Sequence, residues 1–175
     1  KTTYGDLIFA LGIPIPIHKL STLRFIAYSL LPLLSQLPFK YLYPTGKKQD
    51  TVDTKYEYYY KHNDIIAGDF HFIRKYMPPK LPNKIIITNT VTKDDLELLR
   101  ERGVRVLVTT TPELDGRSFG TNVLEGVLIS LLAKKVDEVK PEDYNRVLEK
   151  MQLKPRIVYL QEEKKPLGDP LSLAK

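Results

Sequence analysis

The chain has 175 residues, of which 27 are Lys or Arg and 21 are Asp or Glu, so its formal net charge is +6. Hydrophobic residues make up 42% and charged residues 27%, a balance typical of globular domains that excludes disorder along the whole chain. The absence of cysteine excludes disulfide scaffolds, thiol catalysis and Cys-ligated metal sites. A reducing compartment fits this composition, so we expect a cytoplasmic protein. The basic residues form no stripe, so we expect no nucleic-acid partner.

The beginning and the end of the chain indicate its organisation. Gly5 and Asp6, a pair typical of the end of a strand, come almost at once. We therefore expect the chain to be the later part of a longer protein. Its length predicts one α/β domain over residues 1–160, followed by a flexible polar tail at 161–175.

The first third of the chain is apolar and interrupted by prolines. Residues 7–17 predict a strand or a loop. Residues 23–42 are the most apolar stretch, but charged residues and prolines interrupt it, so we expect no membrane span. The pattern predicts a buried helix broken near Pro32 or Pro38, with a helix that binds a membrane surface or a partner as the alternative. A polar loop at 43–54 precedes a tyrosine cluster that predicts a short helix.

Strands and helices alternate from residue 64 onward. Residues 64–72 begin as a short apolar strand, and residues 84–89 and 104–109 predict buried parallel strands. Thr92 and Asp95 have the spacing of a capping box, so a helix begins there, and Gly103 ends it.

The remaining elements follow the same pattern. A loop at 112–120 precedes a helix at 122–135 that is apolar nearly all round and therefore expected to be deeply buried. Pro141 begins a further helix, and residues 156–160 predict an edge strand. Together these patterns predict an α/β fold: a three-layer, Rossmann-like, mostly parallel sheet with helices on both faces.

The carboxyl ends of parallel strands predict where a ligand binds. Four loops should meet at this edge: Gly5–Asp6, 68–71, 89–90 and 109–122. In the last loop, glycines allow a ligand to approach the backbone, Arg117 can bind a phosphate or carboxylate, and a helix start attracts anions. The alternative is that Thr121 or Asn122 is only a helix cap and that Arg117 pairs with Glu113 or Asp115. The candidate binding residues are Asn89, Thr110, Gly116, Arg117, Ser118, Gly120, Thr121 and Asn122.

Asp69 and His71 are candidate catalytic residues. If the strand at 64–72 continues, both side chains face the same side, and the carboxylate can orient the imidazole as a general acid or base. The alternative is a loop histidine hydrogen-bonded to backbone. His18 and His62 are expected at the surface or in turns, and no metal-ligand spacing is found.

Four segments of the chain resemble a known family. They are residues 4–12 (YGDLIFALG), 37–46 (LPFK and LYPTG, separated by one residue), 67–74 (AGDFHFIR) and 109–122 (TTTPELDGRSFGTN). They are similar to the C-terminal half of the bacterial family labelled quinate 5-dehydrogenase, or quinate/shikimate dehydrogenase-like, over about residues 4–160. The resemblance implies an oxidoreductase with NAD or NADP as cofactor and an N-terminal half before Lys1. The catalytic Lys–Asp pair and the Gly-rich Rossmann turn of established members cannot be placed here, so no catalytic pair is carried over.

Three functions follow as expectations. The first is an oxidoreductase of the quinate/shikimate type that binds an anionic small molecule or a dinucleotide at the strand edge. The second is a non-catalytic α/β module that binds a phosphorylated metabolite or nucleotide. The third is an interface role for the apolar segment at 25–37, which leaves a homo-oligomer open.

Overall fold

The computed structural model describes residues 2–36, 38, 54–114, 117–118, 120–132 and 134–161. The chain divides into two units, Lys1–Pro79 and Lys80–Lys175. The predicted loop at 43–54 therefore lies outside the described residues except for Thr54, and the predicted tail lies outside them except for Gln161. The prediction of one domain over 1–160 stays a prediction.

The first unit is mainly helical and contains one short strand. An antiparallel bridge joins Tyr4 to Ile17: the Tyr4 amide donates to the Ile17 carbonyl at 2.8 Å, and the Ile17 amide donates back at 3.3 Å. In chain order the elements are α1 (Asp6–Phe9), α2 (Leu20–Leu34), a 3₁₀ turn (Thr54–Tyr56), α3 (Glu57–His62), β1 (Ile65–Ala67) and α4 (Phe70–Tyr76). The strand or loop predicted at 7–17 was thus wrong at its start, where the chain forms α1.

An aromatic cluster forms the core of the first unit. The ring of Phe9 lies 6.0 Å from Tyr56, 5.6 Å from Tyr60 and 5.2 Å from Tyr76, measured between centroids. These three tyrosines are buried. The Tyr56 hydroxyl donates to the Gly12 carbonyl at 3.0 Å, so it has a polar partner despite its burial. The short helix predicted for the tyrosine run is confirmed.

Helix α2 confirms the predicted helix but not its burial. Pro32 lies inside its last turn, and the helix ends two residues later at Leu34, as expected of a residue that cannot donate to the helix ladder. Phe25, Tyr28 and Leu31 are exposed, Tyr28 by 80%. Apolar composition alone does not say which face is covered, and this is why the burial prediction was wrong. Among the described ranges, no helix combines the length and apolar character needed to cross a bilayer.

The second unit contains a mixed sheet. In chain order its elements are β2 (Ile85–Thr88), α5 (Lys93–Glu101), β3 (Val106–Thr109), β4 (Glu113–Leu114), β5 (Arg117–Ser118), α6 (Thr121–Leu132), a 3₁₀ turn (Val136–Glu138), α7 (Pro141–Lys150) and β6 (Arg156–Tyr159). Strands β2 and β3 are parallel and are joined by α5, as predicted, whereas β6 runs antiparallel to β3. The α/β class is confirmed. The three-layer, Rossmann-like arrangement stays a prediction.

Local sequence signals set the start and the end of α5, which connects the two parallel strands along the chain. The Thr92 hydroxyl accepts from the Asp95 amide at 3.2 Å, and the Asp95 carboxylate accepts from the Thr92 amide at 2.9 Å, which confirms the capping box. Gly103 follows the helix with φ +84, the left-handed region that favours glycine. The predicted start and stop of this helix are therefore both confirmed.

Two predictions in the second unit were wrong. The segment 112–120 contains a small hairpin, β4 paired with β5, rather than a loop throughout. Helix α6 is not deeply buried: Leu128 is buried, whereas Val123 and Leu131 are exposed. Helix α6 packs against α7, which covers one side of it. A helix that is apolar nearly all round gives no sequence signal for the side that a neighbour covers.

Candidate functional site

The carboxyl ends of β2 and β3 form the predicted ligand edge within the second unit. The two strands end in register, with Thr88 opposite Thr109. The Thr110 amide donates to the Thr88 carbonyl at 2.9 Å. The Thr111 hydroxyl donates to the Asn89 carbonyl at 2.6 Å, so the two loops that leave these strands contact each other. Two of the four loops expected at one edge are therefore brought together here.

The side chain of Asn89 is engaged with its own loop. Its Oδ1 accepts from the Thr88 hydroxyl at 3.2 Å and from the Thr90 amide at 2.8 Å. This arrangement is a local turn that fixes the backbone after β2. Asn89 thus shapes the predicted edge. Its side chain is half-buried, whereas Thr110 is exposed.

Buried threonines accompany the two strand ends. Thr88 and Thr111 are 3% exposed, and Thr109 is fully buried. No described residue forms a hydrogen bond with the Thr109 hydroxyl. A buried hydroxyl without a hydrogen-bond partner lowers the free energy of unfolding by about 1–3 kcal/mol. Within the described part of the chain, the Thr109 hydroxyl is such a group at the ends of the strands.

The long connection after β3 carries most of the predicted binding residues. Arg117 and Ser118 form β5, paired with β4, and Gly116 lies outside the described residues. Glu113 forms an ion pair with Arg156 at 2.7 Å, and Arg156 lies opposite Thr109 in the sheet. Glu113, one of the two acids considered as a partner of Arg117, therefore pairs with Arg156, and this ion pair ties the hairpin to the start of β6. The other acid, Asp115, lies outside the described residues.

Helix α6 begins where the sequence predicts an anion-binding helix start. The Leu124 amide donates to the Gly120 carbonyl at 2.9 Å, so Gly120 takes the N-cap position, and Thr121 and Asn122 are the first helical residues. The first amides of a helix have no carbonyl partner within it. The side chains of Thr121 and Asn122 are exposed. The alternative, in which one of these two residues is the cap itself, does not describe this backbone.

Asp69 and His71 do not have the arrangement predicted for them. Strand β1 ends at Ala67, and Asp69 is the N-cap of α4: its Oδ1 accepts from the His71 backbone amide at 2.9 Å. The prediction that both side chains project from one strand face was therefore wrong, because aspartate is a strong helix N-cap and the strand stops before it. The catalytic assignment of these two residues stays a prediction.

A cavity of about 1000 Å³ lies within the first unit. The two remaining loops of the predicted four, Gly5–Asp6 and Gly68–Asp69, both line it. Its walls include Phe9, Tyr60 and Ile73, and burial raises the pKa of the Tyr60 hydroxyl, with the neighbouring Tyr76 adding to the effect. Tyr60 therefore stays a neutral donor, in contact with the Ile73 carbonyl at 3.5 Å.

Sequence reasoning missed this cavity as a site. It expected Gly5–Asp6 and Gly68–Asp69 at a sheet edge, and it predicted only a short helix for the tyrosine run. The signal that could have found the cavity is the coincidence of tyrosines at 56–60 with acidic residues at 6, 64 and 69. Whether all four predicted loops meet at one edge stays a prediction.

The other histidines have surface positions, as predicted. His18 is exposed, with its Nδ1 3.4 Å from the Thr3 hydroxyl. His62 is exposed and stacks on Tyr58, with ring centroids 4.0 Å apart. Over the residues that the structure describes, no group of three histidine or acidic side chains could hold a metal ion.

Comparison with known proteins gives the family of the chain. No curated protein and no solved structure matches it. One family model, described as a domain of unknown function (DUF8754), matches residues 1–160. This match spans both units and nearly all of the described residues. The chain therefore belongs to the DUF8754 family.

Proposed function

We propose that this chain is an oxidoreductase of the quinate/shikimate dehydrogenase type that binds an anionic small molecule or a dinucleotide at the carboxyl ends of β2 and β3. The observation that carries the proposal is the pair of parallel strands ending in register, with their loops joined by the hydrogen bond from Thr111 to Asn89. Ligands of open α/β sheets bind at such strand ends. The sequence resemblance supplies the reaction class.

The residues that follow β3 in the chain suit an anion. Three amides at the start of α6, those of Thr121, Asn122 and Val123, precede the first residue bonded within the helix, and the exposed Thr110 adds a hydroxyl. Of the described residues, a Cβ at Gly120 would meet only the Val123 methyl, at 3.6 Å, so these residues leave the backbone there open to close approach. The donor set fits a phosphate or carboxylate. The connection between β3 and α6 lacks a G-x-G-x-x-G turn, so NAD or NADP rests on the resemblance.

Titration of the full chain tests this proposal. We would measure heats of binding for NAD⁺, NADP⁺, quinate and shikimate, and follow the absorbance of reduced nicotinamide in each combination. Asn122→Asp adds a negative charge at the start of α6. The charge is favourable for the helix but repels a bound anion, so the affinity for the anionic ligand should fall about tenfold without loss of stability. Asn145→Asp, on the exposed side of α7, is the matched control and should bind as the parent does. No binding of any of these four compounds would reject the proposal.

One observation favours a non-catalytic alternative. The Asp69 carboxylate caps α4 instead of projecting from a strand beside His71. In this alternative the same edge binds a phosphorylated metabolite or nucleotide without turnover. Binding with no change in nicotinamide absorbance would select the alternative. The cysteine-free composition supports a cytoplasmic location for either function.

A further inference from the structure

We propose that the cavity of the first unit is a separate binding site for a small organic cation, an amine with a flat apolar or aromatic body. The cavity has a volume of about 1000 Å³, and its lining residues lie between positions 2 and 73, so a single unit builds it. Cavities of this order accommodate ligands of cofactor or drug size. The lining includes none of the residues at the ends of β2 and β3.

The walls of the cavity are held in place by buried structure. Ile8 is fully buried and Ile73 is 3% exposed. Phe9 is fixed by edge contacts with Tyr59 and Tyr60, whose ring centroids lie 6.3 and 5.6 Å away. The bridge between Tyr4 and Ile17 ties down the segment that leads into α1. A cavity with such walls exists before a ligand arrives, which reduces the entropic cost of binding.

The lining contains three carboxylates and one histidine, His62. Asp6 lies in the first turn of α1, Asp64 precedes β1, and Asp69 caps α4. Among the described residues that line the cavity there is no lysine or arginine. Carboxylates around a partly apolar space favour a cationic ligand and disfavour an anionic one, and both effects grow as water is excluded.

The aromatic lining has the same preference. Phe9, Phe72, Tyr59 and Tyr60 all border the cavity. The face of an aromatic ring attracts a cation by about 0.5–2 kcal/mol, depending on how far the cation is desolvated. The same rings bury the apolar body of a ligand. An ammonium group on an aromatic or flat apolar frame uses both the rings and the carboxylates.

Two glycines at the cavity differ in the space around them. A Cβ at Gly5 would lie 2.5 Å from a Phe9 ring carbon, so a side chain there displaces the wall. A Cβ at Gly68 would meet no atom of the described residues within 4 Å. Gly68 lines the cavity, so a larger side chain there tests this place of binding at a position where it meets no described atom.

A series of three probes of similar size tests the ligand class. We would titrate the full chain by calorimetry at about pH 7 with phenethylammonium, 2-phenylethanol and 3-phenylpropionate. The ammonium should bind about tenfold more tightly than the alcohol, and the carboxylate should give no heat. Equal affinity for the ammonium and the alcohol, stronger binding of the carboxylate, or no binding by any probe would overturn the proposal.

Paired variants test the place of binding. Gly68→Leu should abolish phenethylammonium binding, whereas Gly126→Leu, at an equally open glycine in α6, should not change it. Asp6→Asn should weaken the binding of phenethylammonium about threefold to tenfold and leave the affinity for 2-phenylethanol unchanged. Asp94→Asn, an exposed acid in the first turn of α5, is its control.

Thermal melting checks that each variant is folded. If Gly68→Leu does not fold, the affinity of Asp6→Asn for phenethylammonium tests the proposal by itself. Undiminished ammonium binding in a folded Gly68→Leu variant, or in Asp6→Asn, would overturn the proposal. Because these probes are cations or their uncharged and anionic analogues, and the edge of β2 and β3 is tested with NAD⁺ and quinate, failure of one proposal leaves the other standing.

Discussion

Asp143, near the start of α7, is held by basic groups on several sides. Its Oδ1 accepts from Lys134 Nζ at 2.8 Å, its Oδ2 accepts from the Lys140 amide at 3.1 Å, and Arg146 lies 3.9 Å away. The side chain is 7% exposed. The hydrogen bond from Lys134 is the largest cause that lowers the pKa of Asp143 below its ordinary value of about 3.8, followed by the bond from Lys140. These contacts hold the residue as a carboxylate in the folded chain.

This arrangement predicts how stability depends on pH. Because the pKa is lower in the folded chain than in the unfolded one, the carboxylate stabilises the fold fully above its unfolded pKa. That contribution is lost as the pH falls through the folded pKa. Asp143→Asn should therefore lower the free energy of unfolding at about pH 7, and the difference from the parent should shrink below about pH 4. Urea denaturation across this range measures it, with exposed Asp137→Asn as control. A difference that is constant with pH contradicts the prediction.

At the residue scale, sequence reasoning succeeded where the determining partners are close in the chain. Thr92 and Asp95 are three residues apart, and their capping box is confirmed. Gly103 is confirmed at its left-handed position. The placement of Asp69 on a continued strand was wrong, because whether this residue belongs to the strand or caps the next helix depends on where β1 ends. That end is decided by tertiary packing, which no neighbouring residue reports.

At the scale of elements, the sequence predicted the strands correctly but not which faces of the helices are buried. The two isoleucine- and valine-rich runs are β2 and β3, because β-branched residues in a continuous apolar run favour a covered strand. Helices α2 and α6 form as predicted, but their apolar residues are partly exposed. Periodicity finds the covered side of a helix only when polar residues occupy the other side, and neither helix has that contrast.

Two leucines in α6 test which side is covered. Leu128 is 5% exposed and Leu131 is 57% exposed. Leu128→Lys should lower the free energy of unfolding by about 3 kcal/mol or more, because it buries an unpaired ammonium and removes apolar contacts. Leu131→Lys should change it by about 0.5 kcal/mol at most, because its side chain stays in water at the end of the helix where a cation is favourable. Urea denaturation measures both, and equal losses would contradict the observed orientation of α6.

At the scale of the whole chain, the candidate sites follow the division into two units. The cavity is built by residues of the first unit, and the edge of β2 and β3 by residues of the second. Sequence reasoning identified the four loops involved and expected them at one edge, which stays a prediction. Which loops meet is decided by pairings between distant segments, such as Tyr4 with Ile17 or Thr111 with Asn89, and local patterns carry no signal for them.

The two candidate sites share no described residue, so we expect the two ligands to bind independently. The affinity for phenethylammonium should be the same within about twofold in the absence of NAD⁺ and at an NAD⁺ concentration that saturates the edge of β2 and β3. Two ligands whose sites share no residue have a coupling free energy near zero unless binding shifts a common conformational equilibrium. Calorimetric titration of each ligand, alone and in the presence of the other, measures this coupling. Competition, seen as a loss of one ligand's binding when the other saturates, would instead mean that cation and dinucleotide occupy one site, as expected if all four loops meet at a single edge.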